Sequence, residues 1–470
     1  MNFHSISFGV FLALVFALFW LTYRKRNLRT AILAVASYTF YGAFNPLFLG
    51  LIGFSTLLDY WCGGVIHRAT DERVRKRTLL LSLFANLGLL GFFKYYDWGI
   101  ENLTWVCTQL GVSPPLETLG IVVPVGISFY TFQTLSYTID VYRRRMEPAR
   151  NILDFALFVA FFPQLVAGPI VRAIDFLPQL ERPPRLTRAR LHDGAYRITL
   201  GIAKKVLVAD VVGNYLVDPI YQAPEQFPPW LHVLMLYGFM VQIYYDFSGY
   251  SDIAIGSARL FGFDLPENFD LPYRTWSIRD FWRRWHITLG AWVRDYVYFP
   301  LGGSRGSELR VSFNLMLTML IIGLWHGANW LWVIFGLMQG VATVIERTYE
   351  LRSGGKPAGS SRVRVALLWL LLMQFHALTY VCIRAQDMGE AKEILTVFGD
   401  ERGWQDFPWY VWPALFGGIG IHFVPKAFYR WVHGVFVGMP TVLAGVSAGA
   451  VIGVAALLLL GETPFIYFQF

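Results

Sequence analysis

The 470-residue chain is 55% hydrophobic and 15% charged, with a formal net charge of +8. A soluble domain carries roughly 25% charged residues, so the composition excludes an ordinary soluble enzyme and points to a multi-pass membrane protein. Several apolar runs reach the roughly 20 residues that a helix needs to cross a bilayer core, and they are continuous rather than alternating, which argues for helices over a β-barrel. The basic residues cluster in short loops beside these runs, as the positive-inside rule expects, and so do not suggest nucleic acid. Cys62, Cys107 and Cys382 are scattered and form no disulfide framework or metal spacing.

In chain order, residues 5–23 read as a retained span, since a basic n-region and a small-residue cleavage site are missing. Arg24, Lys25, Arg26 and Arg29 then place its end in the cytoplasm. Residues 30–44 and 47–66 read as an antiparallel pair around Asn45-Pro46, followed by a charged cytoplasmic loop at 67–77. A span at 79–96 leads to an outer polar segment at 101–117, with Pro114-Pro115 as a breaker. Residues 119–141 return to Arg143-Arg144-Arg145. The apolar stretch 152–171 is interrupted by Pro163, Gly168 and Pro169, and basic sequence lies on both sides of it. It reads as a re-entrant hairpin, a form tolerated only where protein or a water-filled cavity covers the backbone. Residues 191–217 and 230–247 form the next pair.

Residues 250–310 break the pattern, being mixed polar, aromatic and basic. They read as a cytoplasmic-face subdomain with re-entrant and interfacial helices that bury Trp and Phe and leave Arg in water. Residues 311–345 are uncharged. As one helix they would extend about 50 Å, too long for a core of about 30 Å, so the run must break, and Gly327-Ala328-Asn329 is the natural place. A flexible cytoplasmic loop is expected at 346–364, and the last apolar segments are 365–383, 407–424 and 440–460.

His326 immediately precedes the expected break, in Leu324-Trp325-His326-Gly327-Ala328-Asn329-Trp330. An imidazole so deep in apolar sequence is costly unless partnered or used. On this residue alone a packed core histidine and a functional one are equally compatible. The second segment is Arg279-Asp280-Phe281-Trp282-Arg283-Arg284-Trp285-His286-Ile287. Read as helix, it places Trp282 and His286 on one face and pairs Asp280 with Arg284. An interfacial amphipathic helix with snorkelling arginines is the plainer reading. The functional one turns His286 inward and sets Arg279, Arg283 and Arg284 on the phosphates of an anionic donor.

In the third segment, Gln242 to Asp252, carboxylates, hydroxyls and three tyrosines close an apolar span, as polar caps or as chamber lining through Asp246, Ser248 and Tyr250. Gly445-Val446-Ser447-Ala448-Gly449 and Gly302-Gly303-Ser304-Arg305-Gly306 fit the serine-hydrolase elbow but lack its strand–turn–helix context.

Taken together the chain resembles the membrane-bound O-acyltransferase superfamily, in its bacterial branch of alginate O-acetyltransferase membrane components and D-alanyl-lipoteichoic acid transferases. The likeness rests on Pro163-Gln164-Leu165-Val166-Ala167-Gly168-Pro169-Ile170, on Tyr245-Asp246-Phe247-Ser248-Gly249-Tyr250-Ser251-Asp252 and on the run from Asn268 to Gly303. The His326 segment and the ending Pro464-Phe465-Ile466-Tyr467-Phe468-Gln469-Phe470 carry it too. It is densest in residues 120–340 and extends towards both ends.

The resemblance implies one all-α polytopic membrane domain over residues 1–470, a ring of tilted helices with re-entrant segments and a central tunnel. It implies an essential histidine at His326 and a second polar position at His286. It also implies an acyl thioester donor, most simply acetyl-CoA, with no permanently bound cofactor and no metal, and an extracytoplasmic acetyltransferase or acceptor protein of a polysaccharide-modification system as partner. Location in the bacterial inner membrane among lipids follows, as does O-acetylation of alginate or another cell-surface glycan. The bottom-up chemistry fits. A neutral His326 acts as general base on an acceptor hydroxyl, and His286 or Asn329 orients the reactants or stabilises the developing oxyanion. The alternatives from other classes are a secondary transporter of an anion or proton-coupled solute and a scaffold for polysaccharide secretion.

Overall fold

Every regular element among the described residues of the computed structural model is helical. Residues 3, 5–353, 361–399 and 407–458 are described; the 354–360 part of the expected loop and the 464–470 ending lie outside them. Among the described residues, four helices are long and apolar enough to cross a bilayer by length and composition, namely Phe48–Arg68, Glu72–Gln109, Glu308–His326 and Arg362–Arg384. Shorter apolar helices occupy Ile6–Leu21, Val411–Phe423 and Thr441–Leu457. The all-α, multi-pass expectation is met. The chain forms two compact units, Met1–Arg190 with Ser257–Pro266, and Leu191–Gly256 with Glu267–Phe470. The 250–310 stretch therefore contributes to both.

The first unit contains α1 (Ile6–Leu21), α2 (Arg26–Gly42), α3 (Phe48–Arg68), α4 (Glu72–Gln109), α5 (Ile127–Tyr142), α6 (Ile152–Ala160), α7 (Phe162–Leu165) and α8 (Ala173–Glu181). Its interior holds a buried polar cluster. The Asp59 carboxylate of α3 accepts from Asn86 at 2.8 Å and Ser82 at 2.5 Å, both on α4, and from Thr138 of α5 at 3.2 Å. In apolar surroundings such bonds link helices where hydrophobic burial cannot.

Three expectations are corrected here. The charged stretch 67–77 is largely helical, with only Ala69, Thr70 and Asp71 between α3 and α4. The polar segment expected at 101–117 begins as helix, because the 38-residue α4 runs through it to Gln109. At 1.5 Å per residue α4 extends about 57 Å, so it projects well past a bilayer core. The span expected from 119 starts only at Ile127. Pro124 and the left-handed Gly126 (φ 76°) delay it, and the Asp97 carboxylate holds the irregular backbone before it, accepting from the amides of Leu119 (2.7 Å) and Ile121 (2.6 Å). The stretch 152–171 is broken at Phe161, and its longest helix, nine residues, reaches about 14 Å, too short to cross.

The second unit begins within α9 (Arg188–Ala203), which continues through π-helical turns at Lys204–Asp210 and Gly213–Val217 to α10 (Asp218–Gln222). It then holds α11 (Pro229–Leu260) up to Gly256, α12 (Ile278–Arg284), α13 (Ile287–Val293), α14 (Glu308–His326), α15 (Trp330–Arg352) and α16 (Arg362–Thr379), followed by further helices. The 32-residue α11 does not stop near residue 247. Its polar run lies inside the helix and is buried, so the reading of that run as a capped helix end is corrected.

The break expected in 311–345 occurs where the glycine and asparagine demanded it. α14 ends at His326 and α15 starts at Trp330. Below the break the two helices touch backbone to backbone. A Cβ on Gly323 would lie 2.3 Å from the Trp332 carbonyl oxygen, and one on Gly336 would lie 2.8 Å from that of Met319. Only glycine fits at either contact.

Candidate functional site

His326 is the last residue of α14. Its ring stacks on Trp332 at 4.9 Å with an interplanar angle of 14°, and meets Trp325 edge-on at 4.9 Å. Asn329 fixes the turn from the other side. It is the N-cap of α15, and its side-chain oxygen accepts from the Trp332 amide at 2.9 Å. That bond occupies the oxygen, so the donor that the Asn329 side chain retains is its NH2. Gly327 is required here too, since a Cβ would fall 2.0 Å from Trp332 Cδ1. His326 and Asn329 are half-buried, whereas Trp325 is buried.

His286 arrives by a different route. Residues 279–287 do not form one helix, which corrects the expectation that Trp282 and His286 share a face. α12 ends at Arg284, Trp285 is extended, and His286 adopts φ 43°, ψ 55° before α13 begins. The cause is a competing partner. The Asp270 amide donates to the Arg284 carbonyl at 3.0 Å and the Ile287 amide to the Asn268 carbonyl at 2.9 Å, so a neighbouring segment takes the hydrogen bonds that helix continuation would have used. A left-handed histidine costs about 1–3 kcal/mol and persists only where its surroundings over-determine it.

The surroundings of His286 centre on Asn268. The Asn268 side-chain oxygen accepts from the Thr288 hydroxyl (2.9 Å) and amide (3.4 Å), and its NH2 donates to Ser251 Oγ at 3.3 Å. The backbone N–H of Thr288 requires an oxygen at that position, so His286 Nδ1, 3.0 Å away, must be the protonated nitrogen. Nε2 is then the basic one. The imidazole is 1% exposed, and burial pushes its pKa down to about 3, so it is neutral at physiological pH. Phe247 packs edge-on at 4.8 Å and Trp325 at 6.1 Å. Trp325 thus touches both imidazoles, and Ser251, Asn268, His286, Trp325, His326 and Trp332 form one chain of contacts within the second unit.

Of the other residues singled out in the sequence, Asp246 pairs with Lys205 at 2.6 Å, and Lys205 also binds Asp210 at 2.8 Å. Ser248 and Tyr250 are buried on the same helix. Asp252 accepts from Arg197 at 2.5 Å and Lys204 at 2.6 Å.

Among the arginines, Arg279 is paired with Glu350. Arg284 binds Asp280 at 2.8 Å, the pair expected from spacing, and Asp270 at 3.1 Å. Arg283 is exposed and has no carboxylate partner among the described residues. Glu346 of α15 caps α12, accepting from the Ile278 amide at 2.7 Å, while Trp282 Nε1 donates to Gln339 of α15 at 3.2 Å. The helix that follows His326 therefore holds the helix that precedes His286. Ser447 lies inside the helix Thr441–Leu458 and Ser304 in a turn, so neither has the elbow context.

Sequence reasoning passed over Asn268 and Glu346. Asn268 carried a signal: it opens the long motif run, and an asparagine side chain supplies both a donor and an acceptor. Glu346 carried none, since its role depends on a helix end 68 residues away.

Comparison with known proteins identifies the family of the chain. Residues 149–383 match the model of the membrane-bound O-acyltransferase family. The chain is 39% identical over 400 residues to a probable alginate O-acetylase of Pseudomonas aeruginosa, covering 84% of this chain and 74% of that protein. It is 35% identical to a peptidoglycan O-acetyltransferase of Helicobacter pylori, covering 77% and 72%. It is 30% identical to a teichoic acid D-alanyltransferase of Streptococcus thermophilus, over 47% and 56% of the two chains. The matched region contains Asn268, both histidines and the whole α14–α15 turn, and the chain belongs to the membrane-bound O-acyltransferase family.

Proposed function

We propose that this O-acyltransferase moves an acetyl group from a cytoplasmic thioester, acetyl-CoA, to a hydroxyl on the far side of the membrane, for O-acetylation of an extracytoplasmic polysaccharide. The observation that carries the reading is the pairing of a half-buried histidine at a helix break with a fully buried one across a shared tryptophan. The relatives named for alginate and peptidoglycan O-acetylation support acetyl as the group and a glycan as its destination.

His326 is the general base. It takes the acceptor's hydroxyl proton as the oxygen attacks the thioester carbonyl. The tetrahedral oxyanion collapses with cleavage of the C–S bond, and His326 returns the proton to the departing sulfur, giving free CoA thiol and an ester. The Asn329 NH2 stabilises the oxyanion. His286, held neutral with Nε2 basic, orients the reactants. Asp246, Ser248 and Tyr250 line the acceptor path, and Arg283, flanked by Arg279 and Arg284, meets the donor phosphates. Direct transfer needs no protein nucleophile, in keeping with the position of Ser447 inside a helix.

The acceptor is a glycan hydroxyl or the serine of an extracytoplasmic partner that passes acetyl on, with the protein in the bacterial inner membrane. The test is purified protein in proteoliposomes loaded with labelled acetyl-CoA on one side and oligosaccharide or partner on the other. Thioester turnover that vanishes in His326→Ala, with the variant still folded, is the expected result. Full turnover in that variant overturns the assignment, and solute flux without turnover overturns the transferase reading itself.

A further inference from the structure

The first unit holds a cavity that the transfer chemistry does not use. It has a volume of about 800 Å³, within the range of small-molecule sites. Phe19, Phe261 and Phe263 form an aromatic wall; Phe19 meets Phe261 edge-on at 5.3 Å, and Phe263 is stacked on Phe176 at 5.2 Å. Arg182, Arg185 and Arg190 stand at its polar side.

The charge there is unbalanced. Asp264 is bound to Arg190 at 2.8 Å, and Glu181 is drawn off to Arg150 at 3.1 Å. Asp175, on the lining, is the other carboxylate. Arg182 and Arg185 have no acidic partner among the described residues. Behind them Arg29, 7% exposed, donates only to carbonyls, those of Tyr23 (2.7 Å), Leu180 (3.2 Å) and Arg182 (3.0 Å). Its full positive charge therefore adds to the cavity.

The wall is rigid as well as basic. Pro183 and Pro184 stiffen the rim, and Gly262, at φ 87°, lets the chain pass so close to Pro184 that a Cβ would lie 3.1 Å from it. The basic run 182–190 is of the kind the positive-inside rule puts on the cytoplasmic face, and basic pockets between helices on that face suit anionic lipid headgroups.

We propose that this cavity binds the headgroup of an anionic phospholipid, its phosphate between Arg182 and Arg185 and its apolar stem along the phenylalanines. The same phosphate chemistry is offered by an acyl-CoA, so the experiment separates the two sources. Full-length protein is equilibrated with mixed micelles of equal phosphatidylglycerol and phosphatidylcholine, and the bound lipids are counted by native mass spectrometry.

Wild-type protein is expected to retain phosphatidylglycerol preferentially, with the preference falling roughly fivefold for each arginine removed in R182A and R182A/R185A. Ile174→Trp, which fills the cavity and keeps every charge, is expected to abolish it too. R73A/R77A, on an exposed helix elsewhere in the unit, is expected to leave it intact. No preference in the wild type, or equal loss in R73A/R77A, overturns the proposal in favour of diffuse surface attraction. Displacement of phosphatidylglycerol by equimolar acetyl-CoA overturns the lipid assignment and gives the site to the donor. None of these readouts depends on acyl transfer, so the proposal stands or falls apart from the reaction assigned to His326.

Discussion

The two histidine segments solve opposite problems. His326 is held by shape: a stacked indole, a helix end and glycines that admit no side chain. His286 is held by hydrogen bonds: a strained backbone and an asparagine that fixes its tautomer. The first stays half-buried and the second is sealed. An accessible imidazole suits exchange of a proton with a substrate, and a sealed neutral one suits orientation. The lesson is that two histidines forty residues apart in one family motif set need not share one role.

The largest expected effect comes from His326→Ala. Loss of the proposed general base is expected to lower the transfer rate by about 10²–10⁴-fold, while the thermal unfolding midpoint in detergent changes little because the side chain is half-buried. If Ala at 286 proves the more damaging to rate in a folded protein, the roles are reversed. Next is Gly327→Ala. A Cβ 2.0 Å from the indole forces Trp332 aside and His326 with it, and a misplacement of about 1 Å costs on the order of 100-fold in rate. Indole fluorescence would report the movement independently.

Asn268→Ala should act through His286. Kcat is expected to fall by about tenfold with KM little changed, because the imidazole loses its orienting partner. Leaving buried donors unsatisfied costs about 1–3 kcal/mol of stability. Asn268→Asp, which keeps an acceptor oxygen, should recover much of kcat; equal loss in both variants would make Asn268 merely structural.

The smallest effect is one of pH. The His286 pKa is about 3 in the folded protein against about 6.5 unfolded. Between those values the unfolded chain binds a proton that the folded one does not, so stability falls as pH drops from about 6.5 towards 3. The unfolding midpoint of wild-type protein should therefore fall more between pH 7 and pH 5 than that of His286→Gln, and identical shifts would show that the imidazole is not sealed.

Much of the site was legible because its signals are local. An uncharged run too long for one crossing, with Gly327 and Asn329 inside it, fixes a helix break beside His326 whatever surrounds it. The same logic failed at His286. The run 279–287 has good helical spacing, yet residues 268–270 compete for its backbone hydrogen bonds, and that competition has no trace in the run itself. It failed again in α11, where Asp246 and Asp252 look like a helix end but are carried inside by cations from the α9 region. In α4 the charged ends read as loops, although a helix projecting beyond the membrane carries charge at no cost.

By itself the sequence determined the class of the molecule, its membrane character, its family and the position of one break, because hydropathy and backbone chemistry act over a few turns of chain. Only the tertiary structure decided which way the second imidazole faces, which of its nitrogens is basic and which arginines are already spent on carboxylates. Those depend on contacts between segments distant in sequence, where the backbone hydrogen bonds made by Asn268 and Asp270 outweigh the helical preference of the residues around His286.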